Sequence, residues 1–245
     1  MAFKTAQADA VLDKSLKEFG LGFLAPKLKG INDIGRLSSG LAGRSLLAEF
    51  GTTRIRKLKP DAELEKDAVR AFEILGGLKS DFDAKFNELL YRKRPIGAKC
   101  PNKLELACFA FKYAMEKGKI SYKKNTDLLS DGLLNSAVDC DTSAWLFVQL
   151  GKGKGLDLAG TKTPQDHYVA IYRKDGKISS FVETTLLTYG GKPPLEGKEE
   201  DMGLAAYAIR SKAGFRKVYG DAKINPEEDE TVAVRFYLAY AERRK

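Results

Sequence analysis

The chain has 245 residues, 43% of them hydrophobic and 31% charged, a composition typical of a globular protein with a substantial core. Its formal net charge is +9, but the basic residues are scattered and no basic run is interleaved with aromatics, which argues against nucleic-acid binding. No window approaches about 18 consecutive apolar residues, so no membrane span is expected. Three cysteines without framework spacing and no signal-peptide pattern predict a cytoplasmic protein.

Residues 1–60 are predicted to form an N-terminal helical and flexible segment. Apolar residues recur at helical spacing over the first twenty or so positions, and Gly20 is expected to end that helix. From Gly22 to Gly51 the chain is rich in glycine and serine, so we interpret this stretch as a loose region with one short helix.

Residues 61–190 are predicted to form the main domain, and its first part is helical. Asp61 is a candidate N-cap of a helix that Gly76-Gly77 would end. Ser80 would start a second helix, with a capping box, and Pro95 would end it.

A third helix carries an apolar stripe that includes a cysteine. Leu104, Cys108, Phe111 and Met115 share one face, so Cys108 is expected to be a core residue, since free cysteine packs as a small hydrophobe. Cys100, in a loop before this helix, has no visible partner.

The pattern then changes to a short apolar helix followed by strands. "DTSAWLFVQLG" predicts the helix, and "HYVAIYRKDGKISSFVETT" alternates, with Asp-Gly at its centre. Asp-Gly between two such runs is the strongest short hairpin signal. We therefore expect His167 to open one strand and Glu183 to close the next.

Cys140, in "SAVDCDTSAW", lies at the predicted start of the short helix. A helix N-terminus stabilises a thiolate through its dipole and free N–H groups. Asp139 and Asp141 oppose this effect, although Asp139 is expected to be engaged as the N-cap. An imidazolium at His167 would have to outweigh the remaining acid. The residues alone leave both alternatives open: a nucleophilic and a structural cysteine.

The sixteen residues between His167 and Glu183 cross a tight turn, so both are expected at the same end of the sheet. A carboxylate on the neighbouring strand can hold one ring nitrogen of a histidine and leave the other to face the thiol. The backbone N–H of Cys140 is the natural oxyanion donor, and Asn135 is a candidate second donor, with a turn asparagine as the alternative.

These three stretches resemble the core motifs of the transglutaminase-like superfamily, which is related to papain-like cysteine proteases. "VDCDTSAWLFVQLGKGKGLDL", "DHYVAIYRKDG" and "FVETT" carry the resemblance, over about residues 130 to 186. It implies Cys140 as nucleophile, His167 as base and then acid, and Glu183 as orienter. The fold expected is α+β, with a helical N-terminal part, an antiparallel sheet packed on the nucleophile helix, and C-terminal helices.

Residues 191–245 are predicted to form a C-terminal helical appendage of two helices, "GLAAYAIRSKAGFRKVYG" and "NPEEDETVAVRFYLAYAERRK". The second of them most clearly resembles a tetratricopeptide-like unit. A single such hairpin cannot form an array, so it would cap the preceding domain or dock a partner.

Three functions are compatible with these features. The first is a cysteine hydrolase or acyltransferase that acts on a peptide or protein amide through a thioester. The second is a non-catalytic transglutaminase-like module that binds a protein partner through its N- or C-terminal helices. The third is a cell-wall amidase, for which the basic charge suits an acidic polymer. With one histidine and no close cysteine pair, no zinc site and no cofactor are expected.

Overall fold

A computed structural model describes residues 2–31, 34–92, 102–124, 126, 128–188, 207–220, 224 and 226. Cys100, the predicted helix end at Pro95 and nearly all of the predicted last helix lie outside these residues. The described chain is a mixture of helices and antiparallel strands, which confirms the α+β class. No helix in these ranges is long and apolar enough to cross a membrane.

The elements follow one another along the chain, beginning with helices and alternating later with strands. In order they are α1 (Ala2–Glu18), a 3-10 helix (Gly22–Leu24), α2 (Ala25–Leu28), α3 (Ile34–Ser39), α4 (Leu41–Ile55), α5 (Asp61–Tyr91), α6 (Lys103–Lys117), β1 (Ser121–Tyr122), α7 (Leu129–Leu134), β2 (Ala137–Val138), α8 (Cys140–Lys152), β3 (Leu158–Lys162), β4 (Tyr168–Lys174), β5 (Lys177–Val182), α9 (Thr185–Thr188), β6 (Ile209–Ser211) and α10 (Lys212–Tyr219).

The chain divides into two compact units. Of the described residues, the first contains 2–31, 34–77, 126 and 128–137, and the second contains 78–92, 102–124, 138–188, 207–220, 224 and 226. The first unit contains α1 to α4, the beginning of α5, and α7, while the second contains the four-stranded sheet with α6, α8, α9 and α10.

The prediction of a loose region from Gly22 to Gly51 is wrong, because this stretch forms short helices packed closely together. A Cβ atom at Gly43 would lie 1.8 Å from the carbonyl oxygen of Leu37, and one at Gly51 would lie 2.8 Å from that of Phe19. These glycines therefore permit close approach of helix backbones.

The predicted break at Gly76-Gly77 is also wrong, since α5 continues through both glycines to Tyr91. Ser80 consequently lies inside the helix and starts no new one. Each glycine costs about 1 kcal/mol in a helix interior. A continuous buried face on both sides of the pair outweighs this cost; its members include Phe72, Leu75, Leu78 and Phe82.

In the second unit, the apolar stripe of α6 is buried as predicted, and Cys108 is fully buried within it. Burial, followed by the charge of Glu105, raises the pKa of Cys108 far above its usual range. Phe111 of α6 meets Phe147 of α8 edge to face, with ring centroids 5.4 Å apart. Cys108 is therefore a core residue.

The sheet of the second unit has the order β3-β4-β5-β6, with every neighbouring pair antiparallel. The hairpin predicted at Asp-Gly is confirmed: Asp175 and Gly176 join β4 to β5, and both have positive φ angles, 53° and 71°. Helix α8 packs on β3 and β4. On β5, Phe215 of α10 stacks against Phe181 at 3.8 Å.

The predicted helix over residues 203–220 needs correction. Ile209–Ser211 forms strand β6, which pairs with β5, and Lys212–Tyr219 forms the helix that follows it. Ser211 caps that helix, because its side chain accepts a hydrogen bond from the Gly214 N–H at 3.1 Å. Residues 209–219 therefore contribute a strand and a helix to the second unit.

Candidate functional site

Cys140 is the first residue of α8, and the helix is capped as the sequence predicts. Oδ1 of Asp139 accepts hydrogen bonds from the backbone N–H groups of Asp141 at 3.1 Å and Thr142 at 3.2 Å. The Thr142 hydroxyl in turn accepts from the Asp139 N–H at 2.9 Å. This reciprocal capping box fixes the backbone that carries the thiol.

The thiol itself is partly buried and donates a hydrogen bond to Oδ1 of Asp141 at 3.3 Å. Burial, followed by the negative charge of Asp141, raises the pKa of Cys140 to about 12. A hydrogen bond from the backbone N–H of Tyr168 lowers that pKa, but by less. Burial, followed by Asp141, therefore favours the protonated thiol at Cys140.

His167 and Glu183 are brought together by the β4–β5 hairpin. His167 directly precedes β4 and Glu183 directly follows β5, so both lie at the same end of the two strands. Nε2 of His167 lies 2.8 Å from Oε2 of Glu183, as the spacing predicts. Because an ionised carboxylate only accepts hydrogen bonds, the ring is held as the Nε2–H tautomer when neutral, which leaves Nδ1 as an acceptor.

Glu183 is buried, yet it is surrounded by groups that favour its charge. Burial opposes its ionisation, but hydrogen bonds from His167 and Tyr219 and the charge of Arg210 together hold the pKa of Glu183 below its usual value. Nε of Arg210 lies 3.9 Å from Oε1, which is too far for a hydrogen bond but close enough for attraction between charges.

The start of α8 is tied to the end of β5 by two hydroxyl groups. Oγ of Ser143, one turn after Cys140, lies 2.9 Å from Oγ1 of Thr184, which follows Glu183 directly. Both hydroxyls are buried. This contact fixes the helix that carries the thiol relative to the strand end that carries the carboxylate.

The loop before β4 is held by Thr163, and this sets the position of His167. The Thr163 N–H donates to the His167 carbonyl at 2.6 Å, and the His167 N–H donates to the Thr163 hydroxyl at 3.3 Å. The backbone N–H of Tyr168, the residue after His167, donates a hydrogen bond to the Cys140 sulfur. The histidine backbone is therefore adjacent to the thiol.

Asn135, the candidate oxyanion donor, belongs to the first unit, whereas the other three candidates belong to the second. Its side-chain N–H donates to the Asp131 carbonyl at 2.8 Å, and the same carbonyl accepts the Asn135 backbone N–H at 3.0 Å. Its role as an oxyanion donor stays a prediction.

Sequence reasoning missed Tyr219 and Arg210, which lie on α10 and β6 and contact or face Glu183. Tyr219 follows Phe215 by one helical turn, so the apolar stripe of α10 was a readable signal for its placement. Arg210 gave no such signal. In the described ranges no three His, Cys, Asp or Glu side chains are grouped to hold a metal ion.

Comparison with known proteins adds no family to this geometry. No protein-family model matches the chain. No solved structure matches it either.

Proposed function

We propose that the protein is a cysteine-dependent amide hydrolase or acyltransferase in which Cys140, His167 and Glu183 act together. One observation supports this most strongly: Glu183 holds Nε2 of His167 at 2.8 Å, next to the strand residue whose N–H lies at the Cys140 sulfur. A nucleophile, a base and a group that orients the base are the parts that covalent catalysis needs. The resemblance to the transglutaminase-like superfamily supports the same assignment.

The proposed reaction begins from the protonated thiol. As the sulfur attacks the amide carbonyl carbon, Nδ1 of His167 takes the thiol proton, and Glu183 stabilises the imidazolium that forms. The backbone N–H of Cys140 stabilises the oxyanion. The amine then leaves with the proton from His167, which gives a thioester, and water or a second amine attacks that thioester to release the acyl group.

The strong preference of Cys140 for the thiol form decides which version of this chemistry is proposed. A preformed thiolate–imidazolium pair would require a thiol pKa below its usual range, and burial with Asp141 raises that pKa instead. Proton removal during attack, by general base catalysis, requires no such pair. Hydrolysis is favoured over transfer, since no feature of the sequence marks a site for a lysine acceptor.

The same observation favours a second candidate, a non-catalytic binding module with an inert cysteine. A thiol that is partly buried and hydrogen-bonded to a carboxylate reacts slowly with electrophiles. In this alternative, the capping box and the His167–Glu183 pair would serve only to stabilise the second unit.

The pH dependence of Cys140 alkylation by iodoacetamide separates the two candidates. The three cysteines fall in different tryptic peptides, so mass spectrometry can follow each one in the native protein. Buried Cys108 is the internal control for unfolding. If His167 assists, Cys140 alkylation has an inflection below about pH 8.5, the ordinary thiol value, and His167→Ala abolishes it.

A rate that rises only above that pH and is unaffected by His167→Ala would exclude the catalytic proposal and favour the binding module. If the inflection is present, pools of peptide amides are screened for hydrolysis with and without an added amine. Cys140→Ala must then abolish product formation while the free energy of unfolding stays close to that of the wild type.

A further inference from the structure

The buried carboxylate of Glu183 is shared between two aromatic side chains. His167 occupies Oε2, and the hydroxyl of Tyr219 donates to Oε1. The Tyr219 ring also lies over the imidazole, with centroids 6.1 Å apart and an interplanar angle of 27°. One residue of α10 therefore contacts both members of the predicted His–Glu pair.

Helix α10 is anchored by packing against strand β5. Phe215, one turn before Tyr219, is 1% exposed and stacks on Phe181 of β5, two residues before Glu183. Its ring centroid lies 4.7 Å from that of Tyr219. Strand β5, which Glu183 directly follows, therefore also carries the surface on which Tyr219 is held. Packing thus sets the spacing between the Tyr219 hydroxyl and the Glu183 carboxylate.

We propose that Tyr219 is a positioning residue of the site, which fixes the rotamer of Glu183 and thereby the tautomer and orientation of His167. A contribution of Tyr219 to catalysis rests on the proposed function. Its role in holding Glu183 and His167 in place rests on the described contacts alone.

The physical reason is that one hydrogen bond leaves a carboxylate free to turn. With only His167 bound, rotation about the terminal bond of Glu183 would exchange the two oxygens and tilt the imidazole with them. A second donor on Oε1 removes that freedom. Nε2–H then stays engaged, and Nδ1 stays available as a hydrogen-bond acceptor.

Tyr219→Phe is the sharpest test, because it removes the hydroxyl and keeps the ring that packs on Phe215. His167 is the only histidine in the chain, so its ring N–H gives a single NMR signal that needs no assignment among others. We expect exchange of that proton with water to accelerate about tenfold in Tyr219→Phe, as for the loss of one hydrogen bond. Glu183→Gln should accelerate it at least as much.

Tyr113→Phe is the matched control. The Tyr113 ring lies on α6 near Lys85, with 5.1 Å from the ring centroid to Nζ. It is not one of the residues that contact Glu183 or His167 in the described contacts, so its hydroxyl should not affect the imidazole. Exchange in Tyr219→Phe equal to that in wild type and Tyr113→Phe would overturn the proposal. Circular dichroism melting checks that each variant is folded.

Alkylation of Cys140 supplies the second readout. If His167 assists, Tyr219→Phe lowers the rate at the plateau of the pH profile by about tenfold, while Tyr113→Phe leaves it unchanged. A wild-type profile without the inflection would refute the proposed function, yet the ring-proton exchange would still decide whether Tyr219 positions Glu183 and His167.

Discussion

Glu183 and Glu49 are both buried glutamates, one in each unit, and they differ in what surrounds them. Glu183 faces an imidazole, a phenol and a guanidinium, and its pKa is held below the usual value although burial opposes this. Among the residues that the structure describes, Glu49 accepts hydrogen bonds from neutral groups: the N–H of Leu129 at 3.1 Å, that of Ser130 at 2.8 Å, and the Ser130 side chain. Burial raises the pKa of Glu49 to about 7.

The difference indicates that neutral donors alone do not offset the rise in pKa that burial causes in a carboxyl group. Asp139 supports the same conclusion, because it accepts two helix N–H groups and burial still raises its pKa. A cationic or potentially cationic neighbour distinguishes Glu183, and in the proposed reaction His167 becomes such a neighbour. Four measurements test this difference.

The largest effect is expected from Glu183→Gln. The amide cannot stabilise an imidazolium, so the rate of His167-assisted alkylation of Cys140 should fall about 1,000-fold. Glu49→Gln should change that rate less than about twofold, since it belongs to the other unit. Equal losses in the two variants, measured by alkylation at the plateau pH, would contradict the assignment of Glu183.

The second effect is on stability and concerns Glu49. Its pKa is raised from 4.5 to about 7 in the folded state, so the associated stability is present below about pH 4.5 and is lost as pH rises to about 7. The full difference corresponds to about 3 kcal/mol in the free energy of unfolding. Glu49→Gln should remove this dependence in urea titrations at pH 5, 6, 7 and 8.

Glu73→Gln is the control for the second measurement, because Glu73 is exposed on α5 in the same unit. It should leave the pH dependence of the wild type in place. A Glu49→Gln protein that loses stability between pH 5 and 8 as steeply as the control would mean that Glu49 is not the titrating group.

A smaller effect is expected at Asp141, the second cause of the raised pKa of Cys140 after burial. Asp141→Asn should lower that pKa from about 12 and speed alkylation of Cys140 at pH 8.5 by about tenfold. Asp166→Asn removes one negative charge from the exposed loop before His167 and should change the rate by less than about twofold. Equal effects of the two substitutions would contradict the role of Asp141 in raising the pKa of Cys140.

The smallest effect is expected from Thr142→Val, which breaks the capping box around Asp139. The hydroxyl accepts from the Asp139 N–H and also lies 3.0 Å from Oδ1 of Asp139. Its loss should lower the free energy of unfolding by about 1 kcal/mol. Thr142→Ser, which keeps the hydroxyl, should recover most of this in the same urea titration.

The parts of the site that are local in sequence could be predicted, and those that depend on distant pairing could not. Asp175-Gly176 dictates its own turn, and Asp139 caps the helix that it precedes, so the positions of His167, Glu183 and Cys140 followed from short motifs. The triple "IRS" of β6 has neither alternation nor β-branched enrichment beyond one isoleucine. Only its pairing with β5 makes it a strand.

Glycine caused the two errors in the helical part. Gly76-Gly77 reads as a stop signal, but buried residues on both sides continue the same helix face. Gly43 reads as a sign of flexibility, although it marks a place where backbones nearly touch. A glycine's meaning depends on what lies opposite it, and the sequence does not contain that information.

Gly160, in the middle of β3, has a consequence for the reach of the site. A Cβ atom there would lie 2.2 Å from the hydroxyl oxygen of Tyr168 and 2.5 Å from one of its ring carbons. Tyr168 is the residue whose backbone N–H lies at the sulfur of Cys140. A methyl group added at Gly160 would therefore displace Tyr168 and change the surroundings of the Cys140 thiol. Strand β3 supplies no reactive atom, so this position offers a way to adjust the reactivity of the thiol without altering any group that performs chemistry.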